Sequence, residues 1–220
     1  MTSLIGFSSL CIATIFSFVL LIPKLILKIK DKYFLFIFRF STILVCISFL
    51  SLIFAYVSSD FSNFNVFQNS HSSKPLIYKI TGSWGNHEGS ILLWLCMISV
   101  YGFFYSLISN SSIDYKIIVL KIQSSLFVIF ALFIIFTSNP FLLNSVQVEE
   151  GLGLNPVLQD PALAIHPPLL YMGYVGFSLV FSLAIASMLI INTNQEWIIE
   201  TKKWSMISWS FLTAGIALGS

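Results

Sequence analysis

The fold is decided by apolar stretches such as residues 34–57, which read FLFIFRFSTILVCISFLSLIFAYV. Arg39 is the single charged residue in this stretch. A helix needs about 20 mostly apolar residues to cross the hydrocarbon core of a bilayer, because unpaired backbone polar groups are too costly in lipid. Residues 34–57 are therefore predicted to form a transmembrane helix.

The whole chain has the same character. Hydrophobic residues make up 57% of the 220 residues and charged residues 9%, and the mean hydropathy is +0.91. A soluble domain carries about 25% charged residues, so this composition excludes an ordinary soluble fold. We predict an all-α transmembrane helix bundle in one membrane domain over residues 1–220. About six spans are expected: Leu4–Ile22, Phe34–Val57, Ile91–Ser109, Ile117–Ser138, Leu169–Ile191 and Trp204–Ser220.

The lysines predict the orientation. They cluster in the first, third and fifth connections between spans, whereas the long loops 58–90 and 139–168 contain only Lys74 and Lys79. The positive-inside rule places the lysine-rich connections in the cytoplasm or matrix. The N-terminus and both long loops are then expected on the outer side, where all three histidines lie.

The cysteines and the overall residue usage give two weaker indications. Cys11, Cys46 and Cys96 lie in apolar stretches without a CxxC pair, which favours small buried side chains over a redox or zinc site. The first apolar stretch lacks a basic leader and a cleavage site, so no removable signal peptide is expected. Abundant Phe, Ile, Lys, Asn and Tyr suggest an A/T-rich organellar genome.

The first candidate site lies just before the fifth span. Asp160 suits a helix N-cap and Pro161 a first helical position, which predicts a short interfacial helix over residues 161–165. Pro167 and Pro168 should then hold His166 out of helical conformation at the membrane surface. Tyr171 could add aromatic surface nearby. A neutral imidazole there suits haem iron, but it also suits a helix cap or an interfacial anchor, and both interpretations stay open.

The second candidate site precedes the third span and contains Trp84, His87 and Glu88 between glycines. Glu88 would be favourable at a helix N-terminus, and His87 would share a helix face with Ile91 and Trp94. These side chains could line a haem or quinol pocket. They could equally form an aromatic belt with a hydrogen-bonded cap. His71 lies in an Asn/Ser-rich stretch and is expected to be solvated, and the three histidines lack the spacing of zinc ligands.

These segments resemble the CcmF family of cytochrome c haem lyase subunits. The matching stretches are KPLIYKI (74–80), WGNHEGSILLW (84–94), GLNP (153–156), LQDP (158–161), HPP (166–168), LYMGY (170–174) and AGIALGS (214–220). They cover most of residues 74–220, in order, whereas residues 1–73 match in topology more than in motif.

The resemblance implies a role in System I cytochrome c maturation. Haem b is delivered there by the haem chaperone CcmE on the outer face. A lyase assembly with CcmF and CcmH-type subunits then joins the haem to the CxxCH thiols of apocytochrome c. The histidine of the HPP motif is an axial haem ligand in the family, which assigns that role to His166. The resemblance matches His87 to the WGxHEGS motif without assigning it a role.

Family members continue from the AGIALGS element into a tryptophan-rich segment and further spans, which hold the remaining haem ligands. We therefore expect the chain to be the N-terminal part of a split lyase, with the remaining CcmF fragment on a partner chain. Such a chain would not be a competent enzyme alone, and no residue in it is expected to act as catalytic acid, base or nucleophile. Membrane lipid is an expected partner and nucleic acid is not. The expected location is the mitochondrial inner membrane, with a bacterial inner membrane as the alternative.

Two alternatives come from other classes of protein. A haem-lyase relative could serve as a non-catalytic structural subunit of a respiratory complex, which would carry no haem on this chain. A transporter is disfavoured because the spans lack paired intramembrane charges and helices broken in corresponding halves.

Overall fold

The structure is a computed structural model that describes residues 1–23, 29–146, 148–190 and 196–219. Within these residues the regular structure is helical, apart from one isolated bridge between Asn63 and Leu143. A 3₁₀ turn, Pro156–Gln159, precedes the seventh of eight α-helices. The α-helices are α1 Thr2–Leu21, α2 Asp31–Val57, α3 Phe64–Asn69, α4 Leu76–Gly82, α5 His87–Ile108, α6 Ile113–Phe136, α7 Pro161–Leu189 and α8 Glu196–Gly219.

Five of these helices are long and apolar enough to cross a membrane: α1, α2, α5, α6 and α7. They match the first five predicted spans, which confirms the all-α polytopic fold. The sixth predicted span lies within α8, which begins eight residues before Trp204 and is more polar than the other five because its first turns carry Glu200, Lys202 and Lys203. Some residues that were used for the predicted spans and the charge pattern lie outside the described residues. These are Lys24, Lys28, Ile191 and Ser220.

The long helices form one bundle. Helix α1 packs against α2 and α6, α5 packs against α2, α6 and α7, and the most extensive contact is between α7 and α8. Tyrosine hydroxyls help to join α7 to its neighbours, since Tyr101 of α5 donates to the carbonyl of Met172 at 2.6 Å and Tyr115 of α6 donates to that of Leu183 at 2.8 Å. These bonds fix the position of α7, the helix that carries His166.

The cysteine thiols are free. Cys96 is buried and Cys11 and Cys46 are half-buried, in agreement with their predicted packing role. The sequence did not show that the Sγ atoms of Cys46 and Cys96 lie 3.6 Å apart, where α2 crosses α5.

The two long loops meet at one end of the bundle together with the N-terminus. The backbone N–H of Phe64 donates to the carbonyl of Leu142, and that of Gly153 donates to the carbonyl of Ser70. The Thr2 hydroxyl donates to the carboxylate of Asp60 at 2.7 Å, which brings in the N-terminus. These contacts agree with the predicted topology, in which the N-terminus and both loops share one side. That this side is the outer one stays a prediction from the lysines.

Glu150 joins the two loops by a charged contact. Its carboxylate accepts hydrogen bonds from the hydroxyl and the backbone N–H of Ser72, the latter at 2.9 Å. These two bonds, first the hydroxyl and then the N–H, lower the pKa of Glu150 to about 2. His71 lies 3.8 Å away and contributes in the same direction.

The Glu150 contact should therefore depend on pH. A carboxyl whose pKa is lower in the folded state stabilises that state above its ordinary pKa, and the stabilisation is lost as the pH falls toward the folded value. We expect Glu150→Gln to loosen loop residues 70–73 at about pH 7, and the difference from wild type to narrow between about pH 4.5 and pH 2. Hydrogen exchange of these amides, corrected for the intrinsic rate, measures this. Glu149→Gln, at the exposed neighbouring position, is the control; a difference that is constant with pH would contradict the assignment.

Candidate functional site around His166

His166 lies inside a continuous helix. Helix α7 runs from Pro161 to Leu189 and includes Pro167 and Pro168, so the predicted short helix over residues 161–165 and the non-helical His166 were wrong. The predicted helix start is confirmed, because Pro161 is the first helical residue and Asp160 is the N-cap, with its Oδ1 accepting from the N–H groups of Ala162 and Leu163 at 2.8 and 3.1 Å. The preference of the residue before proline for an extended backbone is overridden here by tertiary contacts.

One of these contacts replaces a hydrogen bond that the helix lacks. A helical N–H bonds to the carbonyl four residues earlier, and Pro168 has no N–H to offer to the carbonyl of Ala164. The indole Nε1 of Trp84 donates to that carbonyl at 3.0 Å. Ala164 is only 2% exposed, so its carbonyl depends on a donor from the protein.

The imidazole of His166 is oriented by α8. Its Nδ1 lies 2.7 Å from the backbone carbonyl of Gly215. A carbonyl oxygen only accepts, so Nδ1 carries a proton, and whenever the ring is neutral Nε2 keeps a free electron pair. The ring is half-buried. This is the tautomer in which a histidine offers Nε2 to a metal.

The glycines of α8 allow this close approach. A Cβ atom on Gly219 would lie 2.3 Å from Cε1 of His166, and one on Gly215 would lie 2.9 Å from the backbone nitrogen of Leu170. Both distances are far below van der Waals contact, so the start of α7 and the end of α8 pack together only because no side chain separates them. The AGIALGS segment therefore contributes a carbonyl and a fitted surface to His166.

An aromatic group lies next along α7. The ring of Trp94 on α5 meets those of Tyr171 and Tyr174 edge to face, at centroid distances of 5.6 and 5.0 Å. A cavity of about 430 Å³ lies beside this group, between α5, α6 and α7, and its lining includes Trp94, Tyr174 and Phe130. Tyr171, a predicted neighbour of the haem, is thus in contact with Trp94.

The second predicted cluster is held by a network of hydrogen bonds. Asn86 caps α5 by accepting from the N–H of Gly89 at 2.8 Å, and its amide donates to the carbonyl of Gly82 and to the hydroxyl of Tyr56. Asn65 donates both to Asn86 and to the Glu88 carboxylate, the latter at 3.1 Å. Glu88 is in the first turn of α5 as expected.

This network agrees with the interpretation of the second cluster as a hydrogen-bonded cap. Tyr56 and Asn65 are both buried members that could not be recognised from the sequence, because Tyr56 lies near the end of a long apolar helix and Asn65 lies in the short helix α3 within the loop between two spans. Asn63, two residues earlier, caps α3 by accepting from the backbone N–H of Val66.

The histidine of this cluster is placed differently from His166. His87 is exposed, and its Nε2 lies 3.2 Å from the buried hydroxyl of Ser138. Among the predicted residues of this cluster, Trp84 makes a hydrogen bond to the segment around His166, at the carbonyl of Ala164. Within the residues that the structure describes, no group of three or more His, Cys, Asp or Glu side chains is arranged to hold a metal ion.

Comparison with known proteins identifies the family. The family model described as "Cytochrome C assembly protein" matches residues 84–220, from Trp84 through α8. The chain belongs to this family and is of the CcmF type. It is a multi-pass membrane protein of cytochrome c biogenesis.

Relatives within the family support this assignment. The chain is 52% identical over 179 residues to the cytochrome c-type biogenesis protein CycK of Rhizobium meliloti, covering 81% of this chain and 26% of the relative. It is 46% identical over 175 residues to CcmF of Escherichia coli K12, covering 79% and 27%. A solved structure titled cytochrome c heme lyase CcmF matches with a TM-score of 0.81 and 28% identity, over 98% of this chain and 35% of that one. The chain thus spans about a quarter of the length of these curated relatives.

The contact between His166 and Gly219 can be tested directly. We expect Gly219→Ala to displace the imidazole from the Gly215 carbonyl, since the added methyl group would overlap Cε1, at a cost of about 1–3 kcal/mol in stability. The ¹⁵N resonances of His166 should then lose the pattern of a single Nδ1-protonated tautomer. Ala214→Ser adds one heavy atom at an exposed position of the same helix and is the control. Unchanged His166 resonances in Gly219→Ala would refute this packing.

Proposed function

We propose that this chain presents His166 as an axial ligand for haem iron, at the step of cytochrome c maturation in which haem is attached to apocytochrome c. The observation that carries the proposal is the hydrogen bond from Nδ1 of His166 to the Gly215 carbonyl at 2.7 Å. This bond leaves the lone pair of Nε2 free. The family and its relatives concern cytochrome c assembly, which makes haem the appropriate group to consider.

The residues present fit such a ligand role. An imidazole whose Nδ1 donates to a backbone carbonyl is the usual arrangement of a metal-bound histidine, because the second bond fixes the ring orientation and raises its basicity. The half-buried ring lies against Gly219 and the Gly215 carbonyl of α8, and its neighbours in sequence are Ile165 and Pro167, a mostly apolar setting that suits a porphyrin. Bound haem would supply the iron that takes the histidine ligand and the vinyl carbons that receive the cysteine thiols.

In this proposal the other predicted site residues help to position His166. Asp160 starts the helix, Pro167 and Pro168 stiffen it beside the ring, and Tyr171 continues the apolar wall through its contact with Trp94. Glu88 keeps the start of α5 in place through Asn65. For His87 we keep the prediction that it lies near the haem-handling surface, with no further role.

The proposal includes partners outside this chain. The second axial ligand and the binding surface for apocytochrome c would come from polypeptide corresponding to the remaining length of the longer relatives. A CcmE-type chaperone would deliver haem b, and CcmH-type subunits would take part in the attachment. We place the protein in an inner membrane. Its residue usage favours the mitochondrial inner membrane, and a bacterial inner membrane is the alternative.

The test is the haem spectrum of the intact complex, purified in mild detergent. We expect His166→Ala to lose or strongly shift the absorbance of one haem while the complex stays assembled, since an axial ligand is removed. His71→Ala is the matched control, because His71 is an exposed loop histidine that contacts Ser73 and Glu150. The co-purifying chains are identified in the same preparation.

The opposite outcome is equally clear. An unchanged haem spectrum in His166→Ala, with respiratory subunits in place of maturation factors among the partners, would refute the ligand role. It would favour a structural membrane subunit derived from a haem lyase.

A further inference from the structure

We propose that Trp84 is a positioning residue for His166, acting as a side-chain substitute for the helical hydrogen bond that Pro168 removes. The first observation is the pairing itself. The indole N–H donates to the carbonyl of Ala164, the one carbonyl of α7 that a regular helix would bond to residue 168. From the sequence alone, Trp84 was expected in a pocket wall or an aromatic belt, and neither role requires this bond.

The second observation is burial. Ala164 is 2% exposed, so water has little access to its carbonyl, and a buried carbonyl left without a donor destabilises the fold. In a membrane protein this cost favours fraying or rearrangement of the turn that holds the carbonyl. Ala164 is two residues before His166, so any such change would move the imidazole.

The third observation is that Trp84 is itself held firmly. Its backbone N–H and that of Gly85 both donate to the carbonyl of Thr81 at the end of α4. Its ring packs against Phe49 of α2 at a centroid distance of 6.5 Å. Asn86, two residues later, caps α5. The indole is therefore attached to three helices that do not carry the histidine.

The start of α7 is consequently fixed at three places. Asp160 caps the first turn, Trp84 bonds the carbonyl of Ala164, and Gly215 accepts from the ring of His166. The first and third of these belong to the LQDP and AGIALGS stretches. Trp84 adds the WGNHEGS segment, so all three motifs act on one imidazole. The relevance of these three contacts to haem binding rests on the function proposed above. The contacts themselves do not depend on that function.

The structure provides a matched set of variants. Trp84→Phe removes the N–H and keeps an aromatic ring. Trp94→Phe makes the same chemical change at an indole whose N–H has no acceptor among the described residues. Pro168→Ala restores a backbone N–H that can bond to the Ala164 carbonyl, and should make the indole N–H redundant.

The experiment measures hydrogen exchange and ¹⁵N resonances in the full chain within its native complex. We expect Trp84→Phe to speed exchange of the amides between residues 162 and 171 by about tenfold. His166 should also no longer show a single Nδ1-protonated tautomer. Trp94→Phe should leave both readouts unchanged. In the Pro168→Ala background, Trp84→Phe should have little effect, so the two substitutions should be strongly non-additive.

Three results would overturn the inference. The first is that Trp84→Phe leaves amide hydrogen exchange and the His166 tautomer unchanged. The second is that Trp94→Phe changes them as much as Trp84→Phe does. The third is that the effects of Trp84→Phe and Pro168→Ala are fully additive. The haem spectrum of the same variants separates this inference from the proposed function. If His166→Ala keeps its haem while Trp84→Phe still opens the start of α7, the positioning role stands and the ligand role fails.

Discussion

The satisfaction of backbone hydrogen bonds in lipid is the constraint on which the rest of this structure depends. Regular helices meet it by themselves, and α1, α2, α5 and α6 are of this kind. Helix α7 contains two prolines about two turns from its start, and there the constraint must be met by another part of the chain. The indole of Trp84 meets it for Ala164. The candidate site around His166 thus lies where a backbone carbonyl of α7 takes its hydrogen bond from another segment of the chain.

The same constraint explains why the motifs of the chain lie together at the loop end of the bundle. Polar side chains there complete helix ends: Asn86 caps α5, Asp160 caps α7, and Asn63 caps α3 by accepting from the N–H of Val66. Near the opposite end of α5, Arg39 donates to the carbonyl of Ser106 and Lys116 to that of Ser109. These polar side chains thus satisfy backbone groups at helix termini.

Glycine has a comparable role in the packing of α7 with α8. Membrane helices associate closely where small residues let backbones approach, because lipid provides little hydrophobic drive between helices. Gly173 faces the backbone of Leu212, and Gly215 faces that of Leu170. With the backbones this close, a carbonyl of α8 reaches the ring of His166. A functional orientation thus results from the same small residues that join the two helices.

The sequence by itself determined the class of protein, the first five spans and the family. It also determined the N-cap at Asp160 and the place of Glu88 in the first turn of α5. These follow from length, hydropathy and local chemistry, which act over a few residues. It predicted the wrong backbone conformation for His166, because the rule for residues before proline is local. The compensating hydrogen bond to the Ala164 carbonyl comes from Trp84, 80 positions before Ala164. The tertiary structure alone decided the tautomer of His166, the membership of Tyr56 and Asn65 in the Asn86 network, and the contact of Cys46 with Cys96. Each of these depends on which helices become neighbours, and local sequence patterns carry no information about that choice.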